Sequence, residues 1–436
     1  MRDLFIKNAR IVDPRGVGVC NGSFLIRDDR IERIFTGETD ADARVPEERS
    51  DPEQLRVIDA DGWLAFPGLI DAHVHFRDPG FTDKEDIGTG AAAAGHGGFT
   101  SVIMMGNTDP PMDEAARVRS ALEKGRQTGI RVYVCGNVTT GMKGQRLADL
   151  KSLRDAGAVL FSDDGLPVRD AALMEKACKE AAALGMVISL HEEDPAFIDR
   201  PGVNSGPVAA SLGTAGADRQ AEIDMVARDI AIAEKTGAEL TVQHISARES
   251  VQLIRDAREK GLRIHAEATP HHFTLTEEAV REHGTNAKMN PPLREEVDRQ
   301  AIIAGLADGT IDMIATDHAP HTAEEKARTF LQAPSGIIGL ETALSLAYRE
   351  LVLPGHLTWP QVIERMTAAF GVYGLPGGVL TEKGPADLTL FAPDETWTVS
   401  DGTLRSKARN TPFFGETLPG VVKYTICAGR IVWGEE

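Results

Sequence analysis

Positive charge is what this 436-residue chain has too little of: 47 Lys and Arg stand against 66 Asp and Glu, a formal net charge of -19. Nucleic-acid binding needs clustered positive charge, so that class of function is excluded. The same deficit repels acidic ligands at long range, although salt confines the repulsion to about 8–10 Å. A site for an anion must therefore be locally positive. Cysteine is also scarce. Cys20, Cys135, Cys178 and Cys427 lie far apart and form no CxxC pair, which suits reduced, mostly buried thiols of a cytoplasmic protein. Long apolar runs are missing. None approaches the roughly 20 residues of a membrane span, and residues 1–7 carry no apolar core of a signal peptide. The expectation is a cytoplasmic protein with no membrane partner.

What is present is a globular composition, 42% hydrophobic and 26% charged. The length exceeds one ordinary core, although barrels of about 250 residues form single domains. Both ends read as short strands between turns. At the start these are residues 3–12, 23–27, 31–35 and 57–60, with an acidic, polar surface loop over 38–54. At the far end they are residues 386–391, 421–427 and 430–433. Neither group buries both of its faces alone. The expectation is one β-sandwich built from residues 1–63 and 371–436, with the middle inserted between them.

That middle, residues 64–370, alternates apolar runs with helical patterns. The runs are 64–71, 100–105, 131–136, 158–162, 186–190, 240–245, 263–268 and 312–316. Helical spacing over 113–128, 170–184, 217–236 and 247–260 ends at Gly129, Gly185, Gly237 and Gly261, expected C-terminal stops. Eight such units predict an α/β fold, a (β/α)8 TIM barrel. An open doubly wound sheet is the alternative, and no Gly-x-Gly-x-x-Gly follows a first strand to favour it.

Barrel enzymes keep their chemistry at the C-terminal ends of the strands. The first run leads into Asp71-Ala-His73-Val-His75-Phe-Arg77. Residues two apart in a strand share a face, so His73 and His75 point the same way, about 7 Å apart along the backbone. Later runs end in Asp163-Asp164, His191, His244 and Asp317. One histidine in a strand is more often structural than a ligand. Five strand ends offering metal-binding groups on one barrel face are a different matter. Nitrogen and carboxylate donors suit zinc, and their number suits two ions. One ion would take His73, His75 and Asp317, the other His191 and His244, with a carboxylate of the Asp163-Asp164 pair between them. Arg77, Asn107, Asn290 and His321 are further polar residues at strand ends, able to anchor a small acid, although each alone suits a turn.

The stretch Pro67-Gly-Leu-Ile-Asp-Ala-His-Val-His-Phe-Arg-Asp-Pro-Gly80 resembles the signature of the amidohydrolase superfamily in its type I dihydroorotase form. The likeness extends through Lys84–Gly90, Gly97–Thr100, Phe161–Gly165, Met289–Arg294, Ala315–His321 and Gly336–Thr342. It implies a TIM barrel with a β-sandwich of both termini. It also implies reversible hydrolysis of L-dihydroorotate to N-carbamoyl-L-aspartate in pyrimidine synthesis. Two zinc ions per chain are implied, bridged by Asp164 and a hydroxide. By the same resemblance His73, His75, His191, His244 and Asp317 are the remaining ligands, and Asp317 is the catalytic proton shuttle. His75, Arg77, Asn107, Asn290, His321, Ser335 and Gly336 are the substrate contacts. A homodimer is expected, with an aspartate transcarbamoylase as a further candidate partner. Two positions depart from the family pattern. Gly106 replaces a proline beside Asn107, which loosens the backbone there, and Ser335 replaces a bulkier residue.

Two rival readings have stated signatures. A dihydropyrimidinase or allantoinase resembles this chain in fold but bridges its metals with a carboxylated lysine, and the fourth run ends in aspartates. A metal-free scaffold for the transcarbamoylase would have lost ligands that this chain keeps. Residues 321–335 form a charged connection that reads either as a lid or as a plain solvated loop.

Overall fold

The computed structural model describes residues 3–15, 18–37 and 55–434. The acidic loop expected over 38–54 lies outside them. The N-terminal segment supplies β1 (Asp3–Asp13), β2 (Gly18–Arg27), β3 (Arg30–Thr36), β4 (Leu55–Asp59) and β5 (Leu64–Pro67). The barrel strands follow: β6 (Leu69–Val74), β7 (Phe99–Met104), β8 (Arg131–Gly136), β9 (Ala158–Phe161), β10 (Ile188–Leu190), β11 (Leu240–Val242), β12 (Ile264–Ala268) and β13 (Met313–Ile314). The C-terminal segment adds β14 (Leu388–Thr398), β15 (Thr417–Cys427) and β16 (Arg430–Trp433).

Strands β6 to β13 pair in sequence order, all parallel. The ring is closed by a parallel bridge from Val74 to His318 and by the His75 amide on the His318 carbonyl at 2.8 Å. Helices between the strands have the stops that the sequence announces at Gly185, Gly237 and Gly261, the last lying just beyond the helix Arg248–Glu259 with φ 80°. The helix Ala171–Leu184 starts on Asp170, whose carboxylate accepts from two amides, and ends at Gly185 in the left-handed region. The helix Gln220–Thr236 ends the same way at Gly237. Gly129 is different. The preceding helix has already stopped at Gly125, and Gly129 instead lets Val432 of β16 approach closely.

The barrel interior is filled by Ile70, Ala72, Ile103, Met105, Cys135 and Leu160 among others. The helix Ala368–Val372 contributes Ala369 and Phe370 to the same cluster, followed by Tyr373. Burying one side chain the size of Phe370 is worth about 1.5–3 kcal/mol. This packing closes one end of the barrel and leaves the ends of the strands that carry the polar motifs as its open mouth.

The first apolar run, 64–71, splits between two sheets. Leu64–Pro67 pairs with β1 and antiparallel with β14, whereas Leu69–Val74 opens the barrel. Gly68 makes the crossing. A Cβ there would come within 2.2 Å of the Thr100 side chain, so only glycine fits. The terminal strands form one hydrogen-bonded path, β16-β15-β14-β5-β1-β2-β3, with β4 beside β1. Strands from both ends of that path share a single core of Ile6, Phe24, Ile31, Leu390 and Ile426. The expected sandwich is therefore one curled sheet. It is fastened to the barrel by Arg131–Asp387 at 2.7 Å and by the Thr425 and Thr389 hydroxyls on the Gly95 and Gly98 carbonyls. Among the described residues no helix is long and apolar enough to cross a membrane.

Candidate active site

Every proposed ligand and anchor except His73 lines one cavity of about 380 Å³ at the barrel mouth. His73 is fully buried beside it. The donors come from five strand ends: β6 (His73, His75), β9 (Asp164), β10 (His191), β11 (His244) and β13 (Asp317). The β6 ladder slips between Asp71 and Val74, and the Asp71 carboxylate accepts from the His73 and Thr316 amides. That fixes the strand end where both imidazoles emerge.

The aspartate pair divides its work. Asp163 Oδ1 accepts from the Val138 and Thr139 amides at 2.9 and 3.1 Å, a loop-holding role. Asp164 faces the histidines: Oδ1 is 3.4 Å from His73 Nε2 and 3.6 Å from His191 Nδ1, and Oδ2 is 3.5 Å from His75 Nε2. Asp317 Oδ1 is 2.9 Å from His75 Nε2 and 3.6 Å from His73 Nε2. His191 Nδ1 and His244 Nε2 are 3.0 Å apart.

Three of the four rings are tied on one nitrogen by a residue outside the cluster and turn the other toward the facing ligands. His73 Nδ1 donates to Glu267 (3.3 Å), His75 Nδ1 to Asn107 Oδ1 (2.9 Å) and His191 Nε2 to Glu193 (2.9 Å). Each bond fixes the tautomer and aims the other nitrogen at the common centre, the usual arrangement around a metal-binding imidazole. His73 Nε2 is left buried with no hydrogen-bond partner, as is His244 Nδ1. Ligand atoms of His73, His75 and Asp317 lie within 4.8 Å of one another, and so do those of His73, Asp164 and His244. The first group matches the expected set. The second draws in His73 where the expected set has His191, which borders it through Asp164 and His244.

The electrostatics have the same sense. Burial opposes charge on His73 and His191, yet the facing carboxylates outweigh it: Asp164 first for both, then Glu267 for His73 and Glu193 for His191. They hold His73 well above its ordinary range and His191 at about 10. Against their own burial, Asp164 and Asp317 are held well below the carboxylate range by the neighbouring histidines. Buried acids that demand nearby positive charge, beside orphaned ring nitrogens, fit a divalent cation. Oxygen and nitrogen donors in this number suit zinc.

Among the described non-glycine residues, Arg77, His244 and Asp317 are three of those with positive φ (60°, 30° and 49°). Strained backbone of this kind is maintained where side chains must be aimed. The Arg77 guanidinium is held by Nε on the Pro320 carbonyl at 3.3 Å and borders His321 Nε2 at 3.5 Å. Burial, then the Arg77 cation, push His321 down to about 3, so its ring is neutral. His321 Nε2 donates to the Ser335 carbonyl, and the Ser335 hydroxyl donates to Asn290 Oδ1, both at 2.9 Å.

At Gly106, where a looser backbone is expected, the chain packs closely against Asn137. A Cβ there would lie 2.8 Å from the Asn137 side chain, which fills the space a larger residue would need. Asn107 is gripped between His75 and Asp164 Oδ2, the latter at 3.1 Å. Residues 321–335 are exposed over much of their length, yet Leu331, Ala333, Pro334 and Ser335 form part of the cavity wall.

Sequence reasoning missed the outer carboxylates Glu267 and Glu193. An acid within the apolar run 263–268 was the available signal for Glu267. It also missed Asn410, which holds the His321 amide and the Ala319 and Gly336 carbonyls. No local pattern marks that asparagine.

Comparison with known proteins agrees with the geometry. Residues 62–250 match a family model described as dihydro-orotase-like, and residues 216–432 match the amidohydrolase family. The dihydroorotase of Clostridioides difficile is 48% identical over 431 residues, 99% of each chain. That of Clostridium acetobutylicum is 46% identical over 436 residues, 99% of this chain and 100% of its own. Among solved structures, the L-hydantoinase (dihydropyrimidinase) of Arthrobacter aurescens superposes with a TM-score of 0.87 at 25% identity, covering 100% of this chain and 97% of its own.

Proposed function

The chain belongs to the dihydroorotase family of amidohydrolases, and from that premise we propose that it is a zinc-dependent dihydroorotase of the type I form. It hydrolyses L-dihydroorotate reversibly to N-carbamoyl-L-aspartate. The observation that carries this reading is the convergence of four histidines and two aspartates from five strand ends beside a half-buried arginine. The barrel over 64–370 is its catalytic part, with 1–63 and 371–436 as the accompanying sheet.

His73, His75 and Asp317 would hold one ion and His191 and His244 the other, with Asp164 between them. Bound there, a metal pair supplies an acidified water and a polarised amide carbonyl. The residues of the chain do the rest. Arg77 presents a fixed cationic fork to the substrate carboxylate, with Asn290, His321, Ser335 and Gly336 around it. This orientation places the ring amide over the ligand cluster. Asp317, ionised at working pH, accepts a proton from the attacking water at its carboxylate and returns it to the departing amide nitrogen. Ring closure is the reverse path and consumes a proton, so lower pH favours it.

The solved hydantoinases have this fold, and Arg77 argues for a ring bearing a carboxylate over an uncharged one. Turnover of dihydroorotate far above that of dihydrouracil is the expected outcome, and the reverse preference would refute the assignment. A cytoplasmic homodimer, with an aspartate transcarbamoylase as partner, completes the reading. Light scattering on the chain alone and with the transcarbamoylase tests it.

A further inference from the structure

Two buried lysines beside the pocket take no part in the chemistry above. Lys288 follows the turn Gly284–Ala287, and Lys326 ends the short helix Ala323–Lys326. They are 2% and 7% exposed. Lys288 Nζ donates to the Phe330 and Ala333 carbonyls at 2.8 and 2.7 Å. Lys326 Nζ donates to the Pro334 and Gly336 carbonyls, both at 3.0 Å. All four acceptors belong to one strap, residues 330–336, which has no helix or strand of its own and walls the cavity. The strap also carries the Ser335 carbonyl that fixes His321.

We propose that Lys326 and Lys288 are positioning residues: they clamp the strap so that Ser335, Gly336 and His321 meet the substrate carboxylate in a fixed geometry. The proposal rests on the dihydroorotase reading for its ligand. Each amine meets two carbonyls, the number that a neutral amine can serve, whereas an ammonium has a third donor to satisfy. Burial, then the Lys288 charge, push Lys326 down to about 7, with Glu325 on its own helix opposing. Other charges around it are already engaged. Lys84 pairs with Glu325, and across the neighbouring cleft Lys407 pairs with Asp86 and Arg409 with Asp401. Opening the strap would return Lys326 to its ordinary range near about 10.4. The closed strap is therefore the form that releases a proton, and rising pH favours it over the range from about 7 to about 10.4.

The test is Lys326→Met, which keeps the aliphatic stem and removes both donors. KM for dihydroorotate should rise about tenfold, with kcat changed less than about twofold, if the closed strap falls to about a tenth of the population. Bound metal should be unchanged. Trypsin should cut faster after the exposed Arg328. Wild-type KM should fall as pH rises above about 7, while the variant's stays flat. A variant with wild-type KM and pH profile overturns the clamp, as does a kcat loss accompanied by metal loss. Should the variant fail to fold, wild-type cleavage at Arg328 decides: normalised to a denatured control, it must slow as pH rises above about 7. Because that cleavage needs no substrate, it judges the clamp even if the wild type fails to turn over dihydroorotate, a result that sinks the activity reading alone.

Discussion

Replacing Arg77 with Met removes a guanidinium that lines the pocket and little else. Arg77 already has a left-handed backbone (φ 60°), and Met bears the same Cβ, so the substitution adds no backbone strain. Of the five guanidinium N–H donors, Nε is used on the Pro320 carbonyl and Nη2 borders His321. Nη1 and the rest of Nη2 are available to a ligand in the cavity. Two charge-assisted bonds to a carboxylate are worth about 1.5–3 kcal/mol each. Their loss lowers kcat/KM for dihydroorotate by about 10²–10⁴-fold, at about 1.4 kcal/mol per decade. Dihydrouracil has no carboxylate, so its slower turnover should change by less than about threefold. Steady-state kinetics of both compounds on both proteins give the comparison, with metal content as the control. Equal losses on the two substrates would refute the carboxylate-anchor argument, and so would a variant with normal dihydroorotate kinetics.

Asp317→Asn removes the proton carrier and should lower kcat by about 10²–10⁴-fold; turnover near wild type rejects that role. Glu267→Gln weakens the grip on His73 Nδ1 and should reduce metal affinity about 10–100-fold in a chelator competition. Unchanged affinity would show that the outer carboxylate is idle. His265 is a probe away from the site. Burial works against its charge, but the Asp312 and Glu239 carboxylates raise its pKa above 6.5. Its stabilising contribution, about 0.5–1 kcal/mol, is full below about pH 6.5 and is lost as pH rises through the raised value. Melting curves of His265→Asn against wild type should therefore differ at pH 6 and converge at high pH; a constant difference rejects the linkage.

Much of the scaffold was legible because it is periodic. Parallel strands buried on both faces read as short apolar runs, and Gly185 and Gly237 mark helix ends by their left-handed backbone. The two histidines of β6 were legible for the same reason, since residues two apart share a face. What the sequence hid depends on contacts distant in the chain. Leu64–Pro67 and Leu69–Val74 are one apolar run, and only the Thr100 side chain packed on Gly68 shows why the chain changes sheets there. Asp163 and Asp164 are equivalent as letters. The amides of Val138 and Thr139 take the first and leave the second to the histidines. Lys326 follows two glutamates and reads as solvated charge, because its carbonyl partners at Pro334 and Gly336 carry no sequence mark.

The most direct test of the central claim is a zinc titration of metal-stripped protein, with dihydroorotate hydrolysis measured at each addition. The convergence of His73, His75, Asp164, His191, His244 and Asp317 predicts no measurable turnover without metal and full turnover at about two equivalents per chain. Full activity in the stripped protein would contradict it.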